Sequence, residues 1–180
     1  NLIIKEDSNT ITIGASGDTI TIPAGATITN SGTATGFGES NKPAFLATMS
    51  AQSVSDNTYT KLQFGTEVVD TNSAYDHSTN YRFTVPSGEG GLYYFTAQMQ
   101  CGGMVTNSRL QMVFAKNGTR DGTTFSRDYA PTNSLTLYVV SSSFFNLSAG
   151  DYIEVQTLQA SGSTQDAGYG QFGGYKVCTV

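Results

Sequence analysis

The sequence predicts an all-β sandwich or barrel, and three observations carry that prediction. Gly91–Cys101 alternates with period two. Tyr93, Phe95, Ala97, Met99 and Cys101 fall on one side, and Leu92, Tyr94, Thr96, Gln98 and Gln100 on the other, as in a strand with one face in a core. No window of useful length shows a helical period. Short apolar segments recur between clusters of Gly, Asn, Asp and Ser, at a spacing that suits sandwiches rather than βαβ units.

Taken in order, residues 1–42 differ from the rest. They hold Leu2-Ile3-Ile4, Ile11-Thr12-Ile13, Thr19-Ile20-Thr21-Ile22 and Ala26-Thr27-Ile28-Thr29, separated by Gly14–Asp18 and Pro23-Ala24-Gly25. These read as very short strands with tight turns. Ile11 and Ile13 recur nine positions on as Ile20 and Ile22. One reading is a disordered leader, because Thr, Ser and Gly dominate. The other is a stalk. An Ile-x-Ile pair cannot bury itself, but three chains wound about one axis bury Ile11, Ile13, Ile20, Ile22 and Ile28 against each other, as solenoid units bury theirs by stacking. Ser31–Ser40 then forms a Gly/Thr-rich neck.

Residues 43–180 read as a conventional domain. Strands are predicted at Ala44–Ser53, Tyr59–Val69, Tyr81–Val85, Leu92–Cys101, Arg109–Lys116, Thr123–Tyr129, Leu135–Phe145, Tyr152–Ala160 and Gly170–Thr179. Lys116-Asn117-Gly118 predicts a type I′ hairpin turn, since Asn-Gly supplies two positive φ angles. Gly150-Asp151 marks another turn, with Asp151 placed to accept backbone hydrogen bonds.

Composition excludes several function classes. Charged residues make up 13% of the chain and the net charge of −5 is spread along it. No basic run offers a phosphate-binding stripe, which argues against a nucleic-acid partner. No apolar run reaches the roughly 20 residues of a membrane span. His77 is the single histidine, so with two distant cysteines no zinc set forms. Tyr75-Asp76-His77-Ser78 reads as a polar loop, without the Gly-x-Ser-x-Gly elbow of a hydrolase. Asp121, Asp128 and Asp166 are the carboxylates a glycosidase pair would draw on, with nothing in the sequence to set two face to face. Asn117-Gly118-Thr119 and Asn146-Leu147-Ser148 are sequons that matter only in a secretory pathway.

An ordered series of residues carries a family resemblance. Phe64, Asp70, Tyr75 and Phe83 precede Gly91-x-Tyr93-x-Phe95; then come Lys116-Asn117-Gly118, Leu147-Ser148-Ala149-Gly150-Asp151-Tyr152-Ile153-Glu154-Val155 and Phe172-Gly173-Gly174-Tyr175. This series resembles the globular head of complement C1q and the wider tumour-necrosis-factor-like jelly rolls. Phe83 falls one residue late and Gly91 two, with insertions around Asn80 and in Ser87–Gly90. Ala97 stands where the family usually has another aromatic. The resemblance implies a jelly-roll β-sandwich of about ten strands over residues 43–180, preceded here by the short trimeric β-stalk of residues 1–42. It implies a homotrimer that recognises ligands at its surface, no enzymatic activity, and no cofactor other than a calcium ion such as some members hold near the axis. In that fold Cys101 and Cys178 lie on antiparallel neighbouring strands, at opposite ends, and so stay free thiols packed as small hydrophobes.

The expected function is a virion fibre, head or tail, whose head binds a host-surface glycan or protein. The surface candidates are two loops, Arg120-Asp121-Gly122 and Arg127-Asp128-Tyr129, which combine guanidinium, carboxylate and aromatic groups of the kind enriched in binding sites. The chain starts at Asn1 without Met or a signal-peptide pattern. The expectation is therefore a piece of a longer or processed protein, joined to a virion anchor protein upstream and displayed on the virion or outside the cell. Alternatives are a structural capsid-decoration and trimerisation unit, an extracellular C1q/TNF-like or lectin-like unit of cellular origin, and a polysaccharide-degrading fibre tip.

Overall fold

The computed structural model of the chain describes residues 16, 17, 19, 21–27, 41–133 and 135–180. The chain divides into two units, Asn1–Phe37 and Gly38–Val180. In the first, Pro23-Ala24-Gly25 makes the predicted tight turn: the Ala26 N–H donates to the Pro23 carbonyl at 3.1 Å, and Gly25 has φ 83°. Ile22 is exposed. Ile11, Ile13, Ile20 and Ile28 lie outside the described residues, as does most of the expected stalk.

The second unit is built from strands alone among its described residues. They are β1 (Ala44–Met49), β2 (Gln52–Val54), β3 (Thr60–Lys61), β4 (Thr66–Asp70), β5 (Tyr75–Asp76), β6 (Arg82–Thr84), β7 (Gly91–Met104), β8 (Arg109–Lys116), β9 (Thr119–Arg120), β10 (Ser126–Tyr129), β11 (Leu135–Leu147), β12 (Tyr152–Ala160) and β13 (Gln165–Cys178). Two antiparallel sheets result. The six-stranded sheet runs β11-β7-β13-β1-β4 with β2 on β13; the seven-stranded sheet runs β10-β8-β12-β6-β5 with β3 on β12 and β9 on β8. This is the predicted jelly-roll sandwich.

Two predicted strands break where the chain changes partners, and a third shortens. Ala44–Ser53 splits into β1 and β2, which pair with different stretches of β13. Tyr59–Val69 splits because Thr60–Lys61 pairs with β12 in one sheet and Thr66–Asp70 with β1 in the other, with Leu62 and Phe64 buried at the crossing. Thr123–Tyr129 shortens to Ser126–Tyr129, since Asp121–Thr124 forms a turn. The last strand starts at Gln165, earlier than predicted, because its first residues pair with β2. The Asn-Gly turn is as expected, with φ 51° at Asn117 and 80° at Gly118.

The core between the sheets contains the motif aromatics. Phe64, Tyr75, Phe83, Tyr93, Phe95 and Phe172 are all buried in one cluster with Ile153 and Val155. Phe45 stacks on Tyr75 and Phe83, at centroid distances of 4.8 and 5.1 Å, and Phe172 meets it edge-on at 4.8 Å. Each such ring contributes about 1.5–3 kcal/mol by burial. Asp70 shows why an acid stands before Tyr75. Its carboxylate accepts the N–H groups of Ala74 at 3.0 Å and Tyr75 at 2.8 Å, closing the turn that delivers the Tyr75 ring into the core. Two glycines are required by close approach: a Cβ on Gly174 would fall on the Phe95 ring, and one on Gly91 on the Cys178 carbonyl. Ala97 pairs with Phe172 on one side and Ser141 on the other. The small Ala97 thus stands directly beside the buried Phe172 ring.

Candidate functional site

The outer face of the seven-stranded sheet carries a relay of polar groups. The Arg127 Nε donates to the Gln111 Oε1 at 3.0 Å, and the Gln111 amide donates to the Tyr59 hydroxyl. The Tyr59 ring lies 4.1 Å under the Arg120 guanidinium, whose Nη1 donates to the Gln156 Oε1 at 3.2 Å. The Gln156 amide donates to the Glu154 Oε1 at 2.8 Å, and the Glu154 Oε2 meets the Lys61 Nζ at 2.6 Å. Lys61 then donates to the Asn80 carbonyl. Period two along β8, β10 and β12 puts these groups on one side.

The predicted ligand-contact residues fall in this setting, with one correction. They are not two loops: Arg120 ends β9, and Arg127, Asp128 and Tyr129 belong to β10, because both segments pair with β8. Arg120 and Arg127 are committed to the relay. Asp121 holds its own turn, accepting the Thr123 N–H at 2.9 Å and the Thr123 hydroxyl at 2.7 Å. Asp128 accepts the N–H of Tyr129. Tyr129 stands apart with its ring exposed.

The relay stops one rung short of the end of the sheet. There the register sets Tyr129 beside Arg109, and Arg109 beside Ala160. With Asp56, Asn57, Asn107 and Gly162 they line an open cleft of about 450 Å³. Among the described residues, Arg109 makes no ion pair with any carboxylate, and its Nε is buried without a hydrogen-bond partner. Arg109 and Lys116 are the two ends of β8, and Lys116 bonds to the Asn146 carbonyl near the end where Ala44, Tyr175, Tyr94 and Phe144 line up. The cleft therefore sits at the opposite end of the sandwich from Ala44. Sequence reading picked out Tyr129 but missed Arg109 and Asp56, which no motif marks.

The outer face of the six-stranded sheet is different in kind. Phe144, Tyr94 and Tyr175 stand on one rung across β11, β7 and β13, with centroids 5.1 and 5.8 Å apart. Further along, Tyr138, Val140 and Tyr169 are exposed and border a shallow pocket with Gln98. Sequence reading missed this face as well. A signal was present in β11, where Leu137, Val139 and Phe145 point inward while Tyr138, Val140 and Phe144 point outward. A strand apolar on both sides is a strand covered on both sides.

Other candidates resolve into structural roles. The Asp76 carboxylate accepts the Thr79 and Ser78 N–H groups and the Asn80 amide, which hold it well below the usual carboxylate range. His77 Nδ1 lies 3.3 Å from Glu67 Oε2. Asn117 spends its amide on the hairpin, donating to Asp151 at 2.7 Å and accepting the Tyr152 N–H at 2.9 Å. Asp151 also takes the Ser148 N–H, and Gly150 donates to the Val85 carbonyl, so this turn is tied as expected. No three of the described His, Cys, Asp and Glu residues come together within the chain. Both thiols are free. Cys101 pairs with Ala167 and Cys178 with Leu92, at opposite ends of the strand pair. Cys178 is exposed rather than packed, since β13 ends there; burial pushes the Cys101 thiol up to about 11.

Similar folds occur in solved structures. The globular domain of the zebrafish complement 1qA protein is 20% identical, with a TM-score of 0.59, over 77% of this chain and 100% of that one. The Eiger TNF from S. frugiperda is 12% identical, with a TM-score of 0.56, over 77% and 96%. Murine APRIL at pH 5.0 is 15% identical, with a TM-score of 0.50, over 74% and 99%. No curated protein matches the sequence. The C1q domain family matches residues 44–177, which hold both sheets and every motif aromatic, and the chain belongs to that family.

Proposed function

We propose that the chain is a non-enzymatic, homotrimeric recognition module. Its protomers meet through the outer face of the six-stranded sheet. The observation that carries this reading is the Phe144–Tyr94–Tyr175 rung, continued by Tyr138, Val140 and Tyr169. Contiguous exposed apolar surface of this kind marks an interaction site, and β11 adds a long edge strand that needs cover. Aromatic anchors dominate binding energy at interfaces. Three copies also present three identical sites, so weak individual affinities combine by avidity.

Within this reading the protein is a fibre, displayed on a virion or otherwise outside the cell. Its head meets a host-surface glycan or protein, and its other partner is a virion anchor protein. What supports the fibre is the Ile-x-Ile spacing of residues 1–42, which suits a three-chain stalk. Sedimentation equilibrium on the full 180-residue chain tests the module: the expected mass is three copies, and a monomer across the micromolar range would end the reading. Deleting residues 43–180 tests the fibre. Binding to host cells must disappear with the head; binding retained by the stalk alone would refute a head-borne receptor site.

A further inference from the structure

We propose that the cleft at the Tyr129–Arg109–Ala160 rung binds a neutral pyranose, one sugar ring of a glycan. This rests on the reading of the head as a recognition module and names the ligand class and the place.

The first ground is that polar groups stand without partners at this rung while the adjoining relay is satisfied. Along the seven-stranded sheet, from Lys61 to Arg127, every charged side chain of the relay has a partner in the chain. One rung on, Arg109 makes no ion pair with a described carboxylate, and its Nε has no hydrogen-bond partner among the described residues. The two buried side-chain polar atoms without partners among the described residues are the Arg109 Nε, at the cleft wall, and the Ser108 Oγ on the residue before it. Native structures rarely leave such groups unpaired without a reason.

The second ground is a rigid frame carrying free side chains. The Asn57 N–H donates to the Gln159 carbonyl at 2.7 Å, and the Asn107 N–H to the Ala130 carbonyl at 2.8 Å, each Asn holding a positive φ. The Asp56 Oδ1 accepts the Gly162 N–H at 2.8 Å, which fixes the carboxylate in place. Neither asparagine amide has a hydrogen-bond partner among the described residues. Pre-positioned groups of this kind lower the ordering cost of binding.

The third ground is chemistry. The lining offers a guanidinium and two amides as donors, a carboxylate and two amide oxygens as acceptors, and the face of one exposed tyrosine. Arg109 and Asp56 balance in charge without pairing, so a ligand of net charge leaves one of them opposed. The fitting ligand is neutral, both donates and accepts through closely spaced groups, and has an apolar face for the Tyr129 ring. A pyranose with vicinal hydroxyls meets all of these conditions. The volume is in the range of small-ligand sites. The cleft lies at the end of the sandwich opposite Ala44, clear of the aromatic rung at Phe144.

The test is titration of the full chain with methyl pyranosides of glucose, galactose, mannose and N-acetylglucosamine, read by saturation-transfer NMR. At least one is expected to saturate with a Kd of roughly millimolar order. Tyr129→Ala and Arg109→Met should each weaken it about 10-fold or more, while Arg120→Ala leaves it within about twofold. Tyr129→Phe keeps the ring and should retain binding. Because Tyr129 is exposed, its variants keep the fold and hold the test open if Arg109→Met fails to fold. The proposal is overturned if no pyranoside saturates, if binding ignores the Tyr129 variants, or if triglycine binds while every sugar fails. Sedimentation of the same samples separates the two readings. Three copies without sugar binding end this inference alone; a monomer that binds sugar ends the trimer alone.

Discussion

The two outer faces of the sandwich solve the same problem in opposite ways. On the seven-stranded sheet, long polar side chains lie down on one another from Lys61 to Arg127 and satisfy each other within one chain. On the six-stranded sheet, Phe144, Tyr94 and Tyr175 pack on each other, with Phe144 and Tyr175 exposed. A polar face closed on itself needs no partner. An aromatic face left open does, because burying it releases about 25 cal/mol per Å² of apolar area.

Charging the aromatic face should break this contrast most strongly. Phe144→Asp places a carboxylate on the aromatic rung of the expected interface in every copy. The dissociation constant should rise about 30-fold or more, since a buried aromatic anchor is worth roughly 2 kcal/mol or more. Sedimentation would show monomers at concentrations where the parent is trimeric, and an unchanged mass would mean that this face is not the interface.

Breaking the relay should do the reverse, costing stability and sparing assembly. Glu154 is nearly buried, its side chain 5% exposed, while Lys61 is 36% exposed. Lys61→Met leaves that carboxylate without its cation. Because Lys61 is partly solvated, the cost is about 2 kcal/mol, less than for a fully buried pair, and the Tm should fall by roughly 5 °C. A changed oligomeric state in this variant would contradict the division of roles between the faces.

A smaller effect is expected at the turn where the chain leaves β11 in one sheet for β12 in the other. The Asn117 amide, then Lys116 and the Ser148 N–H, bring the Asp151 carboxyl from 3.8 down to about 2. The native carboxyl is the stronger acid, so it adds stability at all pH above 3.8 and gives it up as pH falls toward 2. The loss should be about 1–2 kcal/mol after allowing for partial exposure. Asp151→Asn should make acid unfolding shallower in that window without abolishing it, because Asp76 is also held low. An identical acid limb would show that the turn is not a source of acid sensitivity.

Much of the fold is legible in the sequence because the inside of a sandwich imposes period two on every strand that borders it. Tyr93, Phe95, Met99 and Cys101 announce their side unaided, and all are buried. Arg109–Lys116 and Tyr152–Ala160 have the predicted ends, set by flanking turn residues. The changes of partner at Ser50–Ala51 and Leu62–Gly65 were not legible. A strand that moves from one neighbour to another keeps its alternation and carries no local mark of the move. The candidate site was legible only in part. Tyr129 was singled out for its ring, but Arg120 and Arg127 draw attention by composition and prove to be committed to Gln156 and Gln111.

By itself, then, the sequence determined the class, the inward faces, the Asn117-Gly118 turn and the family, because these depend on residues near one another in the chain. Tertiary structure alone decided the two features that bear on function. Phe144, Tyr94 and Tyr175 become one patch, and Tyr129, Arg109 and Ala160 one cleft wall, through antiparallel register between strands far apart in sequence. Register depends on the summed fit of whole strands, so a shift of one residue would send each of these side chains to the opposite face.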